Sequence, residues 1–255
     1  MGATRFDMLL AHKLTGLGVL TLDEDAVNAL GAELLAAADS ATPVANLRDR
    51  FEGFGLADAY AVAGATLAMR ERAGARRVGA KIGLTSFALQ HALGISEPDF
   101  GTLLDTMAVD DGGSYSAAKG ILPRAEAEIA FVLGRDLPRV GNTAATVLRA
   151  IDFCLPAIEI IDSRVQNWDI RLVDTVADNA SSAAYVLGSC PVAPANVDFV
   201  RCGMRLEKNG EVVATGAGAA CLGSPIVALT WLANMMGALG EPLRAGDLIL
   251  SGALG

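Results

Sequence analysis

Two glutamates in one short segment have the residue type and the spacing to do chemistry. Glu126 and Glu128 lie two residues apart, immediately before an apolar run at 129–133. If this segment is a β-strand, its period of two places both carboxylates on one face, where like charges repel unless a positive group lies between them. An exposed acidic strand face is the simpler alternative. The apolar run argues against it, because such a run indicates a strand that enters the core.

A third glutamate, Glu159, lies inside the otherwise apolar segment 155–161. A carboxylate buried in an apolar strand is usually protonated, paired with a cation or bound to a metal ion. An ion pair with Arg124 or Arg164 is the alternative that needs no metal. Three glutamates without histidine or cysteine donors favour a hard, oxygen-seeking cation, so the sequence predicts Mg²⁺ or Mn²⁺ rather than zinc.

The composition limits the classes of protein. The chain has 255 residues, 52% apolar and 19% charged, which suits one large globular domain or a domain with a small appendage. A formal net charge of −9 argues against nucleic acid or an anionic membrane as a partner. It is compatible with a small anionic substrate, because a bound divalent cation reverses the local potential.

The cysteines and the apolar segments predict a cytoplasmic location. The chain has 4 cysteines without a Cys-x-x-Cys element and only 2 histidines, which predicts reduced thiols and no zinc site. The most apolar stretch, at 225–239, is too short to span a bilayer and begins with the helix-capping pair Ser224-Pro225. Charged residues interrupt the start of the chain, which argues against a signal sequence.

Hydrophobic periodicity predicts an α+β protein. Amphipathic helices are expected at 23–39 and 56–72, followed by a strand at 78–85 and a short helix at 86–93. Short apolar runs then alternate with Gly, Pro and Asp, and an Asn209-Gly210 pair between two of them predicts a hairpin turn. These elements indicate a mostly β core with helices attached.

Several longer motifs resemble one known family in order and spacing. They are Lys81-Ile82-Gly83-Leu84-Thr85-Ser86, Glu97-Pro98-Asp99-Phe100-Gly101, Pro123-Arg124-Ala125-Glu126-Ala127-Glu128, Glu159-Ile160-Ile161-Asp162-Ser163-Arg164, Asp174-Thr175-Val176-Ala177-Asp178-Asn179-Ala180-Ser181-Ser182 and Gly216-Ala217-Gly218-Ala219. Together they resemble the 2-keto-4-pentenoate (2-hydroxypenta-2,4-dienoate) hydratases, which belong with the 4-oxalocrotonate decarboxylases in the fumarylacetoacetate hydrolase superfamily.

The resemblance implies a fold, a metal site and an assembly. The fold is a mixed β-roll core with an N-terminal helical unit, divided here into a helical unit at 23–74, a catalytic β-rich domain at 75–255 and an unassigned extension at 1–22. The implied ligands of Mg²⁺ or Mn²⁺ are Glu126, Glu128 and Glu159. The family forms cytoplasmic homo-oligomers, which associate in some cases with other enzymes of meta-cleavage aromatic catabolism. Its members generally continue past position 255 through terminal strands, whose absence is expected to leave a sheet edge unpaired.

The resemblance also implies a reaction, the hydration of a 2-hydroxydienoic acid to a 4-hydroxy-2-oxo acid. Asp99 favours a hydratase over a decarboxylase, because the matching stretch of the decarboxylases typically lacks this aspartate. Lys81 and Asp99 are therefore the catalytic candidates, although a surface lysine and a turn-capping aspartate are the plain interpretations. A non-catalytic partner of such an enzyme is a third possibility, and the presence of every ligand position argues against it.

Small polar residues are the candidates for binding the substrate. Asn179 and Ser181 lie in a segment rich in hydrogen-bond donors that suit a substrate carboxylate, and Ser251 follows the last predicted strand. An ordinary Ser/Asn turn is the alternative for each of them. The serines are not expected to be nucleophiles, because the sequence has no Gly-x-Ser-x-Gly elbow.

Overall fold

The computed structural model describes residues 17–255, which form two compact units. The first contains the described chain up to Arg76, with Tyr115–Pro123 and Asp162–Ser181; the second contains Arg77–Ser114, Arg124–Ile161 and Ser182–Gly255. The first unit thus includes two segments from beyond position 75. The predicted division, which uses consecutive ranges of residues, places both segments in the catalytic domain. The predicted domain limits stay a prediction, and residues 1–16 of the predicted extension lie outside the described part of the chain.

The described residues contain six α-helices and nine β-strands. The helices are α1 (Glu24–Ser40), α2 (Leu56–Arg72), α3 (Phe87–Leu93), α4 (Ala144–Ala150), α5 (Leu172–Ala177) and α6 (Pro225–Ala238). The strands are β1 (Arg77–Gly83), β2 (Asp99–Leu104), β3 (Ala108–Val109), β4 (Arg124–Leu133), β5 (Ile151–Ile161), β6 (Ser182–Leu187), β7 (Gly203–Lys208), β8 (Glu211–Ala217) and β9 (Leu248–Leu250). The two predicted N-terminal helices are confirmed to within one residue at each end.

The core of the first unit is built on α1 and α2. Helix α1 begins after Asp23, whose carboxylate caps it by accepting a hydrogen bond from the Ala26 N–H at 2.8 Å. Val27, Leu30 and Leu34 form the buried stripe that the periodicity predicts. They pack in one apolar cluster with Val62 of α2 and with residues of α5.

Asp58, in the first turn of α2, connects this helix to the chain before α1. Its buried carboxylate accepts hydrogen bonds from the backbone N–H groups of Thr21, Leu22 and Gly55 at 2.8, 2.8 and 3.0 Å. The Thr21 hydroxyl donates a fourth at 3.0 Å. Burial alone would raise the pKa of this carboxyl, but the four donors outweigh burial and lower the pKa below its ordinary value.

Asp58→Ala is expected to lower the free energy of unfolding by about 3 kcal/mol at neutral pH, because four donors in partly buried hydrogen bonds lose a charged acceptor. The depressed pKa gives a stabilisation that is complete above the ordinary pKa of 3.8 and is lost as the pH falls through the folded value. Urea unfolding at pH 7 and pH 3 measures both effects, and the difference from wild type should shrink at pH 3. The exposed Asp111→Ala is the control and should change stability by less than about 0.5 kcal/mol.

The second unit contains a seven-stranded mixed sheet in the order β2-β1-β9-β4-β5-β6-β3. Strands β1 and β9 run parallel, as do β3 and β6, and the remaining neighbours are antiparallel. Strands β7 and β8 form a separate hairpin. Its turn residues Asn209 and Gly210 have φ values of 54° and 83°, which confirms the predicted Asn-Gly turn.

Helix α6 supplies much of the core of the second unit. Leu229 and Leu232 are fully buried and belong to one apolar cluster with Phe131 of β4 and Ile249 of β9. By length and composition alone, the segment Gly218–Ala238 is long and apolar enough to cross a membrane. That is weak evidence, since a buried core helix passes the same test.

Candidate metal centre

The pairing of β4 with β5 brings the three glutamates together. Glu126 lies directly opposite Glu159 in the antiparallel register, and Glu128 lies two residues further along β4. The alternation of side chains in a strand places all three carboxylates on one face. One oxygen from each lies within 4.8 Å of the others, which is close enough for a single ion to contact all three.

These carboxylates are buried with too few hydrogen-bond donors. Glu128 and Glu159 are 3% and 0% exposed, and Glu126 is partly buried. Among the described residues, no donor in full hydrogen-bond geometry reaches Oε1 of Glu128 or either oxygen of Glu159, although the Lys81 ammonium and the Ser182 hydroxyl interact with the Glu159 carboxylate. Burial raises the pKa of Glu128 well above its ordinary value, and the charges of Glu159 and Glu126 raise it further. Burial likewise raises the pKa of Glu159 and of Glu126.

Lys81 supplies one positive charge to the cluster. It lies on β1, is 3% exposed, and its Nζ is 3.4 Å from Oε1 of Glu159. Burial alone would lower the pKa of this lysine, but the charges of Glu159 and its neighbours outweigh burial and raise it to about 12. Glu159 is therefore paired with a lysine, whereas Arg164, one of the predicted partners, pairs with Asp178 in the first unit.

Asp99 completes the group of charged side chains. It begins β2, is 1% exposed, and pairs with Gly83 in the register between β1 and β2. A β-carbon at Gly83 would overlap the Asp99 carboxylate and would lie 3.4 Å from Nζ of Lys81. The two predicted catalytic side chains thus share the space that the missing side chain at position 83 leaves open. The structure brings Lys81 and Asp99 together with the three glutamates in the second unit.

The donor set fits a divalent cation that prefers oxygen ligands. Three carboxylates, with Asp99 beside them, carry more negative charge than the single ammonium of Lys81 balances. Buried oxygens without hydrogen-bond donors are what such an ion would satisfy. The site therefore has the composition of a centre for a hard metal ion.

Ser251 follows β9 and is fully buried. Its hydroxyl accepts a hydrogen bond from the Ile129 N–H at 3.1 Å and donates one to the Gly252 carbonyl at 2.9 Å. The next peptide group contributes to the centre directly, because the Gly252 N–H donates to Oε2 of Glu128 at 2.8 Å. No residue pattern predicts this backbone contact.

Asn179 and Ser181 belong to the first unit, where they lie in a buried turn with Ala180. All three residues have left-handed φ values, of 53°, 51° and 54°. This conformation costs a non-glycine residue about 1 kcal/mol, and such strain is concentrated at functional sites. The Ser181 carbonyl accepts a hydrogen bond from the Asp162 N–H at 2.8 Å. Their predicted role in substrate binding stays a prediction.

Comparison with known proteins identifies the family. The fumarylacetoacetate (FAA) hydrolase C-terminal family matches residues 105–255. The chain is 52% identical over 222 residues to a 2-keto-4-pentenoate hydratase of Paraburkholderia xenovorans, covering 87% of this chain and 82% of that one. It is 46% identical over 220 residues to a 2-hydroxypent-2,4-dienoate hydratase of Pseudomonas putida, covering 86% and 99% respectively.

The fold of this chain is similar to that of a solved structure. The 4-oxalocrotonate decarboxylase from Pseudomonas putida G7, complexed with magnesium and adipate, superimposes with a TM-score of 0.89 at 37% identity, covering 92% of this chain and 89% of that one. The mixed sheet and the family match define a fumarylacetoacetate hydrolase fold, which confirms the predicted fold class. Within that superfamily, the chain belongs to the family of the 2-keto-4-pentenoate hydratases.

Proposed function

We propose that the protein is a metal-dependent hydro-lyase. It adds water to 2-hydroxypenta-2,4-dienoate, or to a close homologue, and gives a 4-hydroxy-2-oxo acid in the meta-cleavage catabolism of aromatic compounds. The observation that carries this proposal is the cluster of Glu126, Glu128 and Glu159 with Lys81 and Asp99, in a chain 52% identical to a protein named as a hydratase. A cytoplasmic homo-oligomer that contacts other enzymes of the pathway is part of the proposal.

The metal ion is Mg²⁺ or Mn²⁺, held by Glu126, Glu128 and Glu159. Their buried oxygens support this assignment, and the decarboxylase that is 37% identical is complexed with magnesium in one solved structure and with calcium in another. When bound, the ion supplies Lewis-acid polarisation of the substrate oxygens and a fixed template for them. The three glutamates hold it in a site from which the surrounding strands exclude most of the solvent.

Lys81 and Asp99 have different roles in the proposed reaction, Lys81 as a fixed positive charge and Asp99 as a proton acceptor. Lys81, kept protonated by the carboxylates around it, presents a fixed cation that stabilises negative charge as it develops on the substrate. Asp99 accepts the proton of the water that attacks the substrate, a task for which a carboxylate held beside the reacting atoms is suited. Both side chains lie over Gly83, which has no side chain to displace them.

Asn179, Ser181 and Ser251 are the proposed contacts of the substrate carboxylate. The buried left-handed turn supports the first two, because it holds short polar side chains in a strained and therefore well-defined conformation. Support for Ser251 is weaker, since its hydroxyl is already bonded to two backbone groups.

One assay tests the proposed reaction. The purified protein is treated with EDTA and given 2-hydroxypenta-2,4-dienoate with and without added Mg²⁺ or Mn²⁺, and the product is identified by mass spectrometry. We expect a hydrated 4-hydroxy-2-oxo acid that forms only after the metal is restored.

The same protein is assayed in parallel with 4-oxalocrotonate. The TM-score of 0.89 to a 4-oxalocrotonate decarboxylase makes decarboxylation the second candidate function. Loss of CO₂ without hydration would replace the proposed reaction with that one. A protein inactive on both substrates with metal present would indicate a non-catalytic partner.

Gly83→Ala is expected to lower kcat about a hundredfold, because the new β-carbon displaces the Asp99 carboxylate and a shift of about 1 Å has effects of this size. Gly203→Ala is the matched control in the same unit, since nothing lies within 4 Å of its β-carbon position. Steady-state kinetics at saturating metal measure both variants. A kcat for Gly83→Ala that equals the control would show that this glycine does not position Asp99.

A further inference from the structure

A small buried polar cluster lies beside Glu128, and Ser251 is its one member with a role proposed so far. It consists of Thr85, Cys221 and Ser251, which are 3%, 0% and 0% exposed, together with Gly252. The four residues come from three distant parts of the chain and all belong to the second unit. Polar groups so completely buried usually serve a defined purpose, because an apolar core is easier to build.

One peptide group lies at the centre of the cluster. The peptide that joins Ser251 to Gly252 donates its N–H to Oε2 of Glu128 at 2.8 Å. The carbonyl of the same peptide accepts a hydrogen bond from the Cys221 thiol, with a distance of 3.0 Å between Sγ and the oxygen. Because a peptide group is planar and rigid, fixing its oxygen also fixes the direction of its N–H.

The Ser251 side chain anchors the same segment of chain through the neighbouring peptide group, that between Gly252 and Ala253. Its hydroxyl accepts from the Ile129 N–H and donates to the Gly252 carbonyl, so it ties the segment to β4 next to Glu128. Gly252 has a φ of 96°, and a β-carbon there would overlap the Thr85 side chain. The absence of a side chain at 252 thus lets this peptide approach the carboxylate.

Glu128 needs such an orienting contact. Two other carboxylates lie close to it, and repulsion among them favours rotation of the side chain away from the centre. The Gly252 N–H is the hydrogen-bond donor to Glu128 in the described residues. In metal sites, partners that orient a ligand in this way commonly change metal affinity by 10–100-fold when they are removed.

We propose that Cys221 and Ser251 are positioning residues that hold Glu128 in its metal-binding orientation through the peptide between Ser251 and Gly252. This inference rests on the proposed function only in taking Glu128 as a metal ligand. In this role the Cys221 thiol contacts neither the substrate nor the metal, and the Ser251 hydroxyl acts on Glu128 only through the backbone. Removal of either one is expected to weaken metal binding, and removal of the Cys221 thiol should leave the reaction of the fully loaded site nearly unchanged.

The test measures Mn²⁺ binding directly, by electron paramagnetic resonance on the metal-free protein, for Cys221→Ala, Cys221→Ser and Ser251→Ala. We expect the Kd for Mn²⁺ to rise about tenfold in Cys221→Ala and Ser251→Ala. Cys221→Ser, which keeps a donor, should remain within about threefold of wild type. At saturating Mn²⁺ the kcat of Cys221→Ala should stay within about threefold of wild type.

Cys154→Ala is the matched control, because it removes another buried thiol of the second unit. It should leave the Kd for Mn²⁺ unchanged even if it lowers the melting temperature. A Kd within twofold of wild type in both Cys221→Ala and Ser251→Ala would overturn the proposal, as would equal weakening in Cys154→Ala. Because Mn²⁺ binding is measured without substrate, a protein that binds Mn²⁺ normally but fails to hydrate the dienoate would refute the proposed reaction and not this inference.

Discussion

Glu159→Gln and Glu126→Gln are each expected to lower turnover of the dienoate about a thousandfold or more. The fold should survive, because glutamine has the same shape and removes a charge from a crowded cluster. The loss follows from the metal: an amide is a weak ligand for a hard cation, and the Lewis-acid contribution of several kcal/mol disappears with the ion. Kinetics with added Mg²⁺, Mn²⁺ binding and circular dichroism together measure the effect.

Glu211→Gln is the matched control, since Glu211 is an exposed glutamate at the start of β8 in the same unit. It should behave as wild type in all three measurements. Full activity that EDTA still abolishes, in either Glu159→Gln or Glu126→Gln, would contradict the ligand assignment. So would Mn²⁺ binding of wild-type strength in either variant.

Asp99→Asn is expected to lower kcat by about 10²–10³ while changing the Kd for Mn²⁺ by less than about threefold. The amide keeps the size of the side chain but cannot accept a proton at neutral pH. Asp99 lies at the edge of the carboxylate cluster, beside Lys81, and is not among the three residues that can contact one ion together. Hydration should therefore fail at the proton transfer and not at metal binding.

Asp110→Asn, an exposed aspartate of the same unit, provides the control. Single-turnover kinetics at saturating Mn²⁺ separate the chemical step from substrate binding and product release. An equal loss of kcat and metal affinity in Asp99→Asn would assign this residue a structural role in the centre. It would also remove the argument from Asp99 for hydration over decarboxylation, and leave only the identity of 52% to a hydratase.

The part of the centre that depends on local periodicity could be predicted from the sequence. Glu126 and Glu128 share a face because they are two apart in one strand, and Glu159 was conspicuous because its neighbours are apolar. Their meeting depends on the register between β4 and β5, which local patterns do not determine. Lys81 and Asp99 were identified through the family resemblance. They lie close together because Asp99 of β2 pairs with Gly83 of β1, and this pairing between two strands cannot be predicted from local patterns.

The features that the sequence did not reveal are long-range. The ion pair of Glu159 with Lys81 joins residues far apart in the chain, whereas the sequence suggested only Arg124 and Arg164 as partners. The donor to Glu128 is a backbone N–H, which every residue type except proline provides, so nothing about Gly252 marked it. Cys221 looked like an ordinary buried thiol. Residues 115–123 and 162–181 join the first unit through contacts that no local pattern encodes.

The position of β9 has a consequence for how the protein folds. This three-residue strand lies between β1 and β4 in the middle of the sheet, although it is the last strand of the described chain. Its parallel pairing with β1 closes a loop that contains most of the described residues, and such non-local contacts form slowly. The peptide proposed to orient Glu128 directly follows β9, so we expect the candidate metal centre to form only after this strand has inserted. Metal added during refolding should therefore bind in the slowest kinetic phase, together with the closure of the sheet.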